Sequence, residues 1–171
     1  MRLFLALVPP LDLRERLGAL ADAAHARCGG RRMPDESLHL TLAFLGEVGD
    51  EQASELVDWM CRLAVTPGEW RLDAWGHFRR PGIVWVGGQA PDAALGVLHK
   101  RLWDALEEFG LAGRPAHFMP HVTLLRRAKR LDASRLPAPD LVWGYNQLDL
   151  VQSTIHDRGS RYVSLARSLE S

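Results

Sequence analysis

The run SLHLTLAFLGE at residues 37–47 has an echo in HVTLLR at residues 121–126. Each begins with a histidine, an apolar residue, a threonine and a leucine: His39-Leu40-Thr41-Leu42 and His121-Val122-Thr123-Leu124. With 7 histidines and 4 threonines in 171 residues, chance would supply about 0.16 His-x-Thr pairs, so two of them point to a repeat. The apolar alternation predicts a strand in both places. Residues i and i+2 of a strand face one side, about 6.6 Å apart, so each strand presents one imidazole and one hydroxyl together. Leu40, Leu42 and Phe44, and likewise Val122 and Leu124, are then directed to the opposite, core face.

Outward from these strands the same order of elements recurs. Arg2 to Val8 is apolar enough for a buried strand ended by Pro9-Pro10. Leu11 to Cys28 has helical spacing in Leu13, Leu17, Leu20, Ala21 and Ala24, and Gly29-Gly30 stops it. Ile83 to Val86 predicts another strand, and Ala93 to Phe109 a helix with Ala94, Leu95, Leu98 and Leu102 inward, ended by Gly110. The segments at about 3–44 and 83–125 thus form a duplicated strand–helix–strand unit. No Gly-, Ser- or Pro-rich linker separates them, so they are expected to pack as two lobes of a single domain over residues 1–171. Between and after them the pattern predicts a helix from Asp50, its N-cap, and strands over Trp70 to Phe78, Leu141 to Gln152 and Arg161 to Leu169, the last two joined at Asp157-Arg158-Gly159.

Composition narrows the class. The 21 basic and 21 acidic side chains cancel, which argues against a protein that coats nucleic acid non-specifically. The charge is unevenly placed: residues 33–61 hold seven acidic and no basic residues, whereas residues 126–135 hold five basic residues against Asp132 alone. Cys28 and Cys61 cannot form a multi-disulfide scaffold, no apolar run approaches the roughly 20 residues of a membrane helix, and the N-terminus lacks an export pattern. A reduced, cytoplasmic, monomeric protein away from membranes is expected.

If the lobes face each other, two imidazoles and two hydroxyls converge. Two histidines supply a general base and a general acid near neutral pH, because the unperturbed imidazole titrates near 6.5. Two hydroxyls donate to non-bridging oxygens. That set fits in-line displacement at a phosphodiester, and a strained cyclic phosphate needs neither metal nor covalent nucleophile.

The paired motifs, the opening RLFLALVPP and the spacing between them resemble the two-histidine phosphoesterases. More narrowly, they resemble the RNA 2′,3′-cyclic phosphodiesterases, also called 2′-5′ RNA ligases. The resemblance implies an α+β fold: two pseudo-symmetric lobes of antiparallel sheet with outer helices around a central cleft, and no cofactor. It implies metal-independent hydrolysis of a 2′,3′-cyclic phosphate to a 2′-phosphomonoester, with reversible 2′-5′ joining of tRNA halves in some members. It makes His39 the proton donor to the leaving 3′ oxygen and His121 the base. Thr41, Thr123 and Arg126 would hold phosphate oxygens, and Phe44 would line the nucleoside pocket. Strict alternation puts Arg126 and Phe44 on the face opposite the histidines, so they reach the site only through a bulge or a strand end. RNA ends bearing the cyclic phosphate are the expected partner; a small cyclic phosphate such as that of ADP-ribose is the alternative. The basic stretch Arg126-Arg127-Ala128-Lys129-Arg130 reads equally as a solvated loop or a phosphate-backbone contact.

Other patterns carry less. His117 and His121 have a metal-like spacing, but Pro120 between them prevents a shared helical face, and His25 with Cys28 lacks a second ligand pair. No phosphate-cradling Gly-Lys-Ser/Thr loop and no dinucleotide fingerprint occurs, which argues against an ATP-driven ligase.

Overall fold

The computed structural model describes residues 1–170. In chain order the strands are β1 (Arg2–Leu7), β2 (Arg31–Arg32), β3 (Leu40–Glu47), β4 (Gly68–Leu72), β5 (Ala74–Phe78), β6 (Ile83–Gly87), β7 (Val122–Arg126), β8 (Leu141–Tyr145), β9 (Asp149–His156) and β10 (Gly159–Arg167). The helices are α1 (Leu11–Cys28), α2 (Asp50–Arg62) and α3 (Ala93–Glu108). Eight strands form one antiparallel sheet in the order β10-β9-β1-β3-β7-β6-β5, with β2 beside β7, and β4 pairs with β8 separately.

Two segments share a strand–helix–strand order, β1-α1-β3 and β6-α3-β7. In each, the outer strands pair antiparallel while the helix crosses to the other unit: α1 packs on β7, and α3 on β3. The helices make this packing with their apolar stripes, Leu13, Leu17, Ala21 and Ala24 on α1 and Leu95, Leu98, Leu102 and Leu106 on α3. On α3 the inward set also includes His99 and Trp103, whereas Ala94, expected inside, is exposed because it lies a third of a turn off the stripe. Leu3, Leu5 and Leu7 of β1 are wholly buried in the main core, each contributing about 1.5–3 kcal/mol. The other face of β1 is covered too, Phe4 and Ala6 packing with Val151 and Tyr162, which explains the poor alternation of this strand.

Several boundaries differ from expectation. Trp70 to Phe78 is two strands in different sheets, broken where the Asp73 amide donates to the Gly87 carbonyl and its carboxylate accepts from the Gln89 amide. Leu141 to Gln152 likewise divides into β8 and β9, where the Leu148 amide donates to Ser168 Oγ. Gly49, not Asp50, is the N-cap of α2; Asp50 sits in the first turn, where its charge favours the helix N-terminus.

Candidate active site

The two histidine strands meet at a single pair, Leu40 opposite Val122, and this is the seam between the halves of the sheet. The lobes are therefore neighbours in one sheet rather than separate sheets facing across a gap. Continued one residue each way, this antiparallel register sets His39 against Thr123 and Thr41 against His121. Leu40 and Val122 are buried beneath, so the four flanking side chains rise on the other face. Diagonal neighbours in such a register lie about 7–8 Å apart, room for a phosphate between the imidazoles.

Phe44 and Arg126 join them, because both strands are bulged at the equivalent place. Thr41 pairs with Ala6 and Ala43 with Leu5, leaving Leu42 as the extra residue. Thr123 pairs with Trp85 and Leu125 with Val84, leaving Leu124. Each bulge reverses the alternation: Leu42 and Ala43 are both buried, as are Leu124 and Leu125, and the next residue turns back to the histidine face. Phe44, expected in the core, is instead 49% exposed. His39, Thr41, Phe44, His121, Thr123 and Arg126 thus all line one cleft of about 520 Å³.

The imidazoles are held by the same device. His39 Nδ1 lies 2.6 Å from the Ser37 carbonyl, and His121 Nδ1 lies 2.7 Å from that of Met119, in each case two residues upstream. A carbonyl only accepts, so both Nδ1 atoms carry the hydrogen and both Nε2 atoms are left for the cleft. His39 Nε2 stands 2.8 Å from Thr41 Oγ1. Rings then pack around each histidine. Phe4 stacks on His39 at 4.8 Å with Tyr162 edge-on at 5.4 Å, and His121 has Phe78 edge-on at 5.2 Å and Trp85 at 5.8 Å.

This packing sets the protonation. Burial pushes the His39 imidazole down to about 4, helped by the nearby charges of Arg126 and His121 and opposed by the Ser37 bond. Burial also lowers His121, the Met119 bond opposing and Arg126 adding to the fall. Both imidazoles rest neutral at neutral pH in the free protein.

The sequence reading missed the rings and two further cleft cations. Arg2 lies 5.2 Å over the Phe44 ring, and Arg31 Nη2 donates to the Arg158 carbonyl at 3.0 Å, tying β2 to the β9–β10 turn. The alternation of Arg2 and Phe4 with Leu3 and Leu5 was the available signal for the first; a two-residue strand such as β2 offers none. His117 is exposed and does not line the cleft with His121, and His25 bonds the Gly30 carbonyl at 3.1 Å. No group of three or more His, Cys, Asp or Glu among the described residues is placed to hold a metal.

The profile of the 2′-5′ RNA ligase superfamily matches residues 9–153. The chain belongs to that superfamily. The RNA 2′,3′-cyclic phosphodiesterase of Escherichia coli strain K12 is 32% identical over 168 residues, 97% of this chain and 94% of that protein. The Archaeoglobus fulgidus protein of the same name is 27% identical, covering 92% and 88%. The structure of E. coli LigT complexed with 3′-AMP superimposes with a TM-score of 0.85 at 30% identity, over 97% of this chain and 95% of that one. The superfamily assignment thus rests on nearly the whole chain as well as on the paired motifs, and the α+β architecture is that of its solved members.

Proposed function

We propose that this protein hydrolyses RNA 2′,3′-cyclic phosphate ends to 2′-phosphomonoesters by proton transfer through His39 and His121, without a metal ion. The observation that carries the reading is the pair of imidazoles, each tied at Nδ1 to its own backbone so that both Nε2 atoms address one cleft.

Water attacks phosphorus opposite the 3′ oxygen and its proton passes to His121 Nε2. The bond from phosphorus to the 3′ oxygen breaks, and His39 Nε2–H protonates that oxygen. The Thr41 and Thr123 hydroxyls and the Arg126 guanidinium donate to the non-bridging oxygens, where charge builds up. No carboxylate among the described residues lines the cleft, so the donor set is one for an anion rather than for a hard cation. His39 rests neutral in the free protein, and the substrate's own negative charge changes that: an anion against the imidazole favours its protonated form. A 5′-hydroxyl of a second RNA in place of water gives a 2′-5′ linkage by the same transfers.

The reading includes one two-lobed domain acting as a cytoplasmic monomer on RNA ends, tRNA fragments among them. A core cluster that runs through both halves supports the single domain. The test is turnover of an oligonucleotide ending in a 2′,3′-cyclic phosphate. His39→Ala and His121→Ala are each expected to lose about 10²–10⁴ in kcat, the wild type to retain full activity in EDTA, and the product to carry a 2′-phosphate. Near-wild-type turnover by either folded variant, or loss on chelation with recovery on adding a divalent ion, refutes the mechanism.

A further inference from the structure

Beside the cleft lies a second cavity of about 440 Å³, lined by Arg27, Cys28, Arg130, Asp132 and Arg135. Its cations come from three places in the chain: the end of α1, the segment after β7, and the turn at residues 133–135. β7 ends at Arg126 in the cleft, and the chain then runs to Arg130 in this cavity, a span of four residues and at most about 14 Å. The segment is pinned along the way by the Ala128 amide donating to the Gly82 carbonyl at 2.8 Å and the Lys129 amide to that of Cys28 at 3.3 Å.

Several arginines elsewhere are partnered: Arg32 with Asp22 and Asp35, Arg114 with Asp104 and Glu107, Arg71 with Asp140. Here they are not. The side chains of Arg27, Arg127, Lys129 and Arg130 make no hydrogen bond or ion pair among the described residues, and all four are exposed. The one acid, Asp132, accepts from Ser134 Oγ at 2.6 Å and pairs with Arg135 at 3.6 Å, which leaves the cavity with a positive excess. Arg127 is also the one non-glycine residue with positive φ among the described residues, at 55°. A left-handed arginine costs about 1–2 kcal/mol that glycine would avoid, so the side chain is kept at the expense of stability.

We propose that Arg127, Arg130, Arg27 and Arg135 form a binding surface for the phosphodiester backbone of the RNA upstream of the reacting end. This deepens the functional reading above and rests on it. The cyclic phosphate is the 3′ terminus, so the rest of the strand must leave the cleft, and this is its cationic exit. Across the sheet, α2 packs on β9 and β10 and bears Asp50, Glu51, Glu55 and Asp58, which repel a polyanion. The span from Arg126 to Arg130 matches about two to four nucleotides of single strand.

The experiment compares a 12-nucleotide RNA ending in 2′,3′-cyclic phosphate with a 2′,3′-cyclic mononucleotide. It uses wild type, the triple variant Arg27→Gln/Arg130→Gln/Arg135→Gln, and Arg127→Gly. Each RNA phosphate that a variant no longer neutralises flattens the log–log salt dependence of binding by about 0.7, or about fivefold in affinity at 0.1 M salt. The triple variant is expected to raise KM for the 12-mer by up to about a hundredfold and leave the mononucleotide within about twofold. Arg127→Gly is expected to lose about fivefold on the 12-mer while its Tm stays at or above wild type. Equal effects on long and short substrates, or a wild type indifferent to length and salt, overturn the proposal. Anisotropy titration of a 12-mer ending in 2′-phosphate reads the surface without turnover. Wild-type binding that the triple variant loses supports it even where cleavage fails, and cleavage with unaltered binding refutes it while leaving the function standing.

Discussion

The burial of His39 has a measurable consequence for folding. Its imidazole titrates at about 4 in the fold and near 6.5 in the unfolded chain. Between those values the unfolded chain binds the proton and the native state does not, so stability rises with pH through that window. This contribution is complete above about 6.5 and gone once the pH falls to about 4. At 1.36 kcal/mol per pKa unit it amounts to about 3 kcal/mol. His39→Gln keeps an amide able to bond the Ser37 carbonyl but does not titrate. Urea unfolding of both proteins at pH 4, 5, 6 and 7.5, in buffer free of phosphate, isolates the effect. Other groups contribute to both curves and cancel in the difference. The wild type is expected to lose about 3 kcal/mol more than the variant between pH 7.5 and 4, with unchanged m-values. Saturating inorganic phosphate is expected to shrink that gap, because an anion beside the ring favours the charged form. Parallel curves for the two proteins would show that His39 is solvated in the fold, and the neutral resting state argued for the cleft would fall with them.

Three further outcomes are expected. The kcat/KM profile against pH is a bell with both limbs below 6.5, since burial lowers both imidazoles; an alkaline limb above 7 measured on free enzyme contradicts this. Arg126→Gln removes a charge that depresses both histidines, so both limbs move up in pH while kcat falls; limbs that stay in place show that Arg126 does not act on them. Gly76→Ala overlaps the indole of Trp85, a ring packed against His121. It is expected to destabilise by about 1–3 kcal/mol and to slow turnover on cyclic mononucleotide; an unperturbed variant would show that the ring shifts freely.

The paired His-x-Thr motifs and the strand–helix–strand order around them were legible because they are local. Strand alternation puts i and i+2 on one face whatever the strand packs against, and apolar periodicity marks α1 and α3 without reference to a partner. His39, Thr41, His121 and Thr123 could therefore be named from the chain alone. How they meet could not. The Leu40–Val122 seam joins residues 82 positions apart, and no pattern within either strand states its register. The same holds for Phe44 and Arg126: a bulge is a relation between two strands, and the doubled buried residues Leu42-Ala43 and Leu124-Leu125 acquire meaning only once β1 and β6 lie alongside. The breaks at Asp73 and between β8 and β9 depend on hydrogen bonds to Gly87 and Ser168, distant partners again. Chemistry resides in residue types, which the sequence states outright. Proton affinity and charge accumulation depend on what is packed around those residues, so the rings on the histidines and the convergence of Arg27, Arg130 and Arg135 exist only in the folded chain.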